Sequence, residues 1–368
     1  MDKTPGALGE RMIAAAEKKT SRDEARARFL ASTPWAEASV EPLGSDASIR
    51  QYFRLIGGPH QALLMDAPTA SLEPPCPPTA SNEERRALGY VAMVRGPGNA
   101  LPAYHAASVI LDQCGLLVPS MVEMDAANGF GIVEDLGDQR VALASFTEGV
   151  EERLYGAAAD ALDALRSCRA VRGRHHGWVF QTYDAFALET EAGLLAEWYV
   201  PKVLERDLSA AERARLADAW SLVISTLSPP VSWVHRDFHA DNLMVCGDRV
   251  GVIDFQDLMV GQAAYDWASL IEDARRDVAP DVRQSLYQRG LAGADDPSAF
   301  AQDYAILAAQ RNAKILGIFA RLAHRDGKRR YLDLLPRVRR FFAEDLERPA
   351  VHPVRMVIKD IAPELLHG

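Results

Sequence analysis

The sequence predicts an α+β protein of two lobes, a small β-rich N-terminal lobe and a larger helical C-terminal lobe with one embedded hairpin. Three observations predict this. Short β-leaning runs, QYFRLI, QALLMD and FGIVEDLGD, all end by residue 138. From ERLYGAAADALDALRSC onward, apolar residues recur mainly at helical spacing. The length of 368 residues leaves room for two cores. The boundary is placed after Asp135, giving lobes 1–135 and 136–368.

The elements follow in order. Ser21 and Glu24 form a capping box ahead of a helix through RDEARARFLAST. QYFRLI and QALLMD are joined by GGPH, which has turn chemistry, so they read as a hairpin. PTASLEPPCPPTASN, with five prolines, reads as an exposed loop. Residues 84–115 are helical in part, broken by GPGN. In the C-terminal part, TYDAFALETEAGLLAEWYVPKVL is helical, and Ser209 with Glu212 caps the helix RARLADAWSLVISTL. Two more helices lie in FAQDYAILAAQRNAKILGIFARLAHR and RYLDLLPRVRRFFAEDL.

Composition narrows the functional class. Apolar residues make up 48% and charged residues 25%, as in ordinary globular proteins. A net charge of −10 repels a phosphate backbone and argues against a nucleic-acid partner. No apolar stretch approaches a membrane span, and the opening residues hold no run fit for a signal peptide. Cys76, Cys114, Cys168 and Cys246 form no C-x-x-C pair. The expectation is four free thiols in a cytoplasmic protein.

The chemistry concentrates in VHRDFHADNLMVCGDRVGVIDFQD, Val234 to Asp257. NLMV and RVGVID are apolar runs joined by CGD, a turn signal. A hairpin centred on Gly247 and Asp248 sets Val245 against Val250 and Leu243 against Val252. Asn242 then lies opposite Ile253 and Asp254, with cross-strand neighbours ~5 Å apart. Asp237 enters on the preceding loop. Two carboxylates and an amide oxygen are hard ligands that suit Mg²⁺. The order His235-Arg236-Asp237, then Asn242, then Asp254-Phe255 matches a phosphoryl-transfer constellation. In it one Asp takes the proton of the attacking hydroxyl, and an Asn and a second Asp hold metal. Gln256 replaces the glycine usual after Asp-Phe in protein kinases, and no A-P-E segment follows, so a protein substrate is disfavoured.

With these residues in hand, the chain resembles the aminoglycoside phosphotransferase superfamily, which has a protein-kinase-like fold. PLGSDASIRQYFRL, GFGIVEDLGD, HRDFHADNLMV and GVIDFQDLMVGQAAYDWASL resemble the branch of bacterial N-acetylmuramate/N-acetylglucosamine anomeric kinases. The resemblance implies that Asp237 is the catalytic base, that Asn242 and Asp254 bind Mg²⁺, and that His235 braces the loop. It implies that Asp266 is a structural acid, and that Gly44, Ser45, Asp46 and Ser48 cover the phosphates of ATP. It also makes Glu134 to Leu136 the hinge whose backbone meets adenine. One departure stands out: ALLMDAP carries Met65 and Asp66 where a phosphate-pairing lysine belongs. Arg54, then Arg50, is the candidate replacement.

On the acceptor side, Glu191, Trp198 and Tyr199 have a spacing that places them on one helical face. His239 and Asp241 lie in the catalytic loop, and Asp257 and Arg311 are further candidates. The expected partners are ATP and a small sugar acceptor. An aminoglycoside, choline or amino alcohol is the alternative acceptor, and a non-catalytic nucleotide-binding module is the remaining reading.

Overall fold

A computed structural model describes residues 21–44, 50–68, 75–144 and 149–367. The chain divides into two units, and the division is not a single cut. One unit contains Met1–Leu72, Asn99–His105 and Pro119–Asp135. The other contains Glu73–Gly98, Ala106–Val118 and Leu136–Gly368.

The first unit is built on a five-stranded antiparallel sheet of order β1-β2-β3-β5-β4. Its strands are β1 (Ser39–Pro42), β2 (Gln51–Ile56), β3 (Ala62–Asp66), β4 (Met121–Asp125) and β5 (Phe130–Glu134). The expected hairpin is β2–β3, with Leu55 opposite Ala62. A helix over residues 21–31 supplies Phe29 and Leu30 to a core shared with Trp35, Leu64, Phe130 and Ile132. Asp66, where a lysine was sought, is 3% exposed. The helix meets it with arginines: Arg22 at 2.6 Å and Arg26 at 3.6 Å. A buried acid needs such partners.

The second unit is mainly helical, with three small two-stranded sheets. These pair β6 (Gly173–His175) with β7 (Trp178–Phe180), β8 (Ser232–Val234) with β11 (Met259–Gly261), and β9 (Leu243–Cys246) with β10 (Arg249–Val252). The β9–β10 register is the expected one, Val245 to Val250 and Leu243 to Val252. Gly247, at φ +63°, makes the two-residue turn possible. The helix Ala210–Ile224 begins with the expected Ser209–Glu212 capping box.

The helix Pro297–His324 runs through the centre of this unit, and every residue from 303 to 317 is buried. A helix apolar all round is a core helix. This one also buries Gln310, Arg311, Asn312 and Lys314. At Gly317 it meets the helix Ala185–Leu194 so closely that a Cβ would sit 2.4 Å from the backbone carbon of Leu194. Backbone cannot step aside as a side-chain tip can. Gly317→Ala is therefore expected to cost about 1–3 kcal/mol, read as a fall in the urea midpoint. An unchanged midpoint would contradict this packing.

The thiol expectation is corrected. Cys114 and Cys168 form a disulfide, with Cα atoms 5.4 Å apart across 54 residues of sequence. Each lies just past the end of a helix, and only tertiary packing brings those ends together. Cys76 and Cys246 are free. No helix among the described residues is long and apolar enough to cross a membrane.

Candidate active site

The site is assembled from the β8-to-β10 segment of the helical unit. β8 ends at Val234, and the chain then turns sharply, with Arg236 at φ +77°. Positive φ is costly for a residue with a Cβ and persists only where the surroundings enforce it. Here they do. The Asp266 carboxylate, on the helix Ala264–Ile271, accepts the backbone N–H groups of His235 at 2.6 Å and Arg236 at 2.9 Å. His235 braces the loop with both ring nitrogens. Nε2 donates to the Ile253 carbonyl at 2.9 Å, and Nδ1 accepts the Asp237 N–H at 3.2 Å. That bonding places a proton on Nε2 and the acceptor lone pair on Nδ1.

The consequence is one outward-facing group. From residue 232 to 240 every side chain is buried except Asp237, which is exposed. Partial desolvation pushes its carboxyl up, but the positive field of Lys314, Arg275 and Arg311 outweighs this and holds it well below the usual range. Asp237 is thus ionised across the physiological pH range.

Asn242 and Asp254 arrive on the hairpin. The Asn242 Nδ2 donates to the Asp237 carbonyl at 3.0 Å, which leaves its Oδ1 as the available acceptor. The Ile253 N–H donates to the Asn242 carbonyl at 3.0 Å, extending the ladder one step beyond β9 and β10. Asp254 follows at once, exposed and at φ +60°, a second enforced left-handed residue. Gln256 earns its place here: its amide donates to Asp254 at 3.0 Å and to Asp257 at 3.3 Å. An amide oxygen and a carboxylate fit a hard divalent cation whose remaining ligands are phosphate and water oxygens. No cluster of three His, Cys, Asp or Glu occurs among the described residues that would hold a metal unaided.

The other expected residues fall in several places. His239 is buried, 2.7 Å from an Arg275 nitrogen, and burial followed by the Arg275 charge keeps its pKa well below the usual value. Asp241 pairs with Arg275 at 3.1 Å. Asp257 lies 3.9 Å from Arg236. Arg311 is buried, donates to the Glu272 carbonyl at 3.1 Å, and keeps Nε and Nη2 without a partner. Glu191, Trp198 and Tyr199 do not share a face. Glu191 is buried against Arg236 at 2.6 Å and Lys314 at 3.2 Å, and Tyr199 is core. Trp198 instead lines a cavity. The reason is a π-helical turn over Leu195–Tyr199, whose extra residue shifts the helical phase.

Of the nucleotide candidates, Ser45, Asp46 and Ser48 lie outside the described residues. Gly44 follows β1 in the sheet unit. Arg54 is held by Asp135 at 2.7 Å, and Arg50 is buried. Glu134 closes β5, and Leu136 begins the stretch assigned to the helical unit. Sequence reasoning missed Lys314, Asp273 and Arg275. Asp273 accepts the N–H of Ala240 at 2.9 Å and of Arg275 at 2.8 Å. For Lys314 a signal existed: with Gln310, Arg311 and Asn312 it interrupts the apolar residues of AAQRNAKILGIF.

A profile of the phosphotransferase enzyme family matches residues 39–305, well over half of the chain. The protein belongs to the phosphotransferase enzyme family. Among curated relatives of this phosphotransferase is an N-acetylmuramate/N-acetylglucosamine kinase of Caulobacter vibrioides, 36% identical over 87% of this chain and 91% of that protein. The protein of the same name from Pseudomonas aeruginosa is 33% identical over 85% and 86%. Among solved structures, a choline/ethanolamine kinase family protein from Mesorhizobium loti superposes with a TM-score of 0.55 at 18% identity, covering 91% of this chain and 99% of that one. An aminoglycoside phosphotransferase APH(4)-Ia in complex with AMP-PNP and hygromycin B gives 0.52 at 13% identity, covering 86% and 96%. At these identities the structures show a shared fold. The phosphotransferase is an ATP-dependent kinase, as its family and its kinase-named relatives indicate.

Asp266 offers a test of the loop's foundation. Burial raises its carboxyl from 3.8 to about 6, against the lowering effect of His235 and of the two backbone N–H groups. The unfolded chain releases this proton near pH 4 and the folded protein holds it longer. The group's contribution to stability is therefore full below about pH 4 and lost as pH rises through about 6. Asp266→Asn should abolish that fall. Urea midpoints between pH 4 and 7 check it, and parallel curves for the two proteins would contradict it.

Proposed function

We propose that this phosphotransferase moves the γ-phosphoryl group of ATP to the anomeric hydroxyl of N-acetylmuramate, N-acetylglucosamine or both, a cytoplasmic step of cell-wall recycling. The observation that carries the reading is Asp237: an ionised carboxylate presented to solvent by an otherwise buried loop, beside Asn242 and Asp254. The named activity of the curated relatives supports the choice of acceptor.

In this reading Asp237 orients the sugar hydroxyl and accepts its proton. A carboxylate with low proton affinity is a weak base in the ground state. Phosphoryl transfer tolerates this, because its loose transition state asks mainly for positioning and charge stabilisation. An anomeric hydroxyl is also more acidic than an ordinary alcohol. Asn242 Oδ1 and the Asp254 carboxylate would hold Mg²⁺, which when bound offsets the negative charge of the phosphates. His235 and Asp266 keep the loop backbone in place.

The experiment is a panel of acceptors with Mg²⁺-ATP. N-acetylmuramate and N-acetylglucosamine should stimulate ATP consumption and yield an acid-labile sugar 1-phosphate, mapped by NMR. Phosphate on a different hydroxyl would refute the anomeric assignment. Consumption with choline or an aminoglycoside, and with neither sugar, would move the activity to the alternative acceptors.

A further inference from the structure

We infer that Arg321 is the residue that recognises the carboxylate distinguishing N-acetylmuramate from N-acetylglucosamine, and that it does so in a cavity linked to the catalytic loop through Glu191. This rests on the sugar-kinase reading and adds a specificity determinant to it.

The cavity belongs to the helical unit and has a volume of about 380 Å³, suited to one N-acetylated pyranose. Its wall includes Tyr90, Met93, Glu189, Trp198 and Arg321. Aromatic faces next to carboxylate acceptors suit a sugar, which offers apolar ring faces and hydroxyl donors. Glu189 and Glu197 can accept those hydroxyls, with Glu197 also taking the Trp198 indole N–H at 3.0 Å.

Arg321 is the anomaly in this wall. Its guanidinium lies 4.7 Å from the Tyr90 ring centroid, and its Nε is buried with no hydrogen-bond partner. Its side chain makes no ion pair or hydrogen bond among the described residues, and Asp326 feels its charge only at longer range. The neighbouring Arg325, in contrast, is occupied by Asp326 at 2.7 Å. A partly buried guanidinium placed over a ring, with an unused donor, suits a planar anion that binds through two parallel hydrogen bonds.

The position fits the chemistry. Arg321 follows Lys314 by seven residues on the same helix, so the two share a face about 10 Å apart along the axis. Lys314 sits 3.2 Å from Glu191, which holds Arg236 next to Asp237. Tyr90, under Arg321, feels the charges of Glu191, Lys314 and Arg236. The cavity is thus linked to the loop through Glu191, which follows the lining residues Glu189 and Thr190 and pairs with both Lys314 and Arg236. N-acetylmuramate and N-acetylglucosamine differ by one lactyl ether, whose carboxylate projects from C3 while C1 carries the reacting hydroxyl. A carboxylate carried on C3 is set apart from the reacting hydroxyl on C1, as Arg321 is set apart from Lys314 along the helix.

The test compares both sugars on wild type and on Arg321→Met and Arg321→Lys. Arg321→Met should raise KM for N-acetylmuramate roughly 10- to 100-fold, the loss expected for a charge-assisted pair, and leave KM for N-acetylglucosamine within about twofold. Arg321→Lys should fall between. The N-acetylglucosamine reaction reports that the variant is folded. If the variants do not fold, wild type alone decides, because the methyl ester of N-acetylmuramate should show the same rise in KM. Equal effects on both sugars, or an ester used as well as the acid, would overturn the assignment of Arg321. Wild type inactive on both sugars would refute the sugar-kinase reading itself, and activity on N-acetylglucosamine alone would overturn only the inference.

Discussion

Asp237→Asn is expected to lower turnover by about 10²–10⁴-fold with nucleotide binding intact. The substitution keeps shape and the backbone bonds that define the loop, because those bonds run through His235, Asp266 and Asn242 and not through the Asp237 carboxylate. What it removes is the negative charge that, in the proposed reaction, faces the acceptor. It also leaves Lys314, Arg275 and Arg311 without the anion whose ionisation they favour, so a small gain or loss in stability can accompany the change. Thermal stabilisation by ATP separates the two effects: the shift should persist in the variant while product formation collapses. Turnover within tenfold of wild type would remove Asp237 from the role of base. Because its carboxyl stays ionised, the acid limb of the wild-type pH–rate profile should reflect other groups, and it should not centre on an ordinary aspartate pKa.

The largest expected effect on stability comes from Glu191→Gln. Glu191 is 1% exposed and holds two buried cations, Arg236 at 2.6 Å and Lys314 at 3.2 Å, while accepting the Tyr183 hydroxyl. Burial pushes the Lys314 ammonium toward neutrality, and Glu191 more than reverses that. An amide of the same size removes the charge and leaves two cations facing each other in the core. Breaking a buried pair from one side typically costs about 3–5 kcal/mol. Among the described residues, the other acid paired with the Arg236 side chain is Asp257, at 3.9 Å and partly exposed. A contrast comes from Arg215–Asp360, a pair with both side chains about half exposed, where Asp360→Ala should cost less than about 1 kcal/mol. Urea unfolding of both variants provides the check. Equal losses would mean that the Glu191 cluster is better solvated than its burial indicates.

Much of the active-site loop was legible because it is local. Asp237, Asn242 and Asp254 lie within 18 consecutive residues, and a two-residue turn at Gly247-Asp248 sets the register of everything between β9 and β10. The acceptor side was less legible. The period of an α-helix places Glu191 and Trp198 together, but a π-turn separates them, and no residue pattern announced it. Cys114 and Cys168 read as unrelated thiols because 54 residues separate them, and proximity across such a distance is a property of packing.

By itself the sequence determined the two kinds of architecture, the hairpin register and the order of the residues proposed for phosphoryl transfer, since each follows from spacing, turn chemistry and side-chain period over short stretches. Only the tertiary structure decided which charges are buried together. Glu191, Arg236 and Lys314 come from three separate parts of the chain, and Asp66 and the two arginines that meet it come from a strand and a helix. The free energy of a buried charge depends on its neighbours in space, and those neighbours exist only once the chain has closed around them.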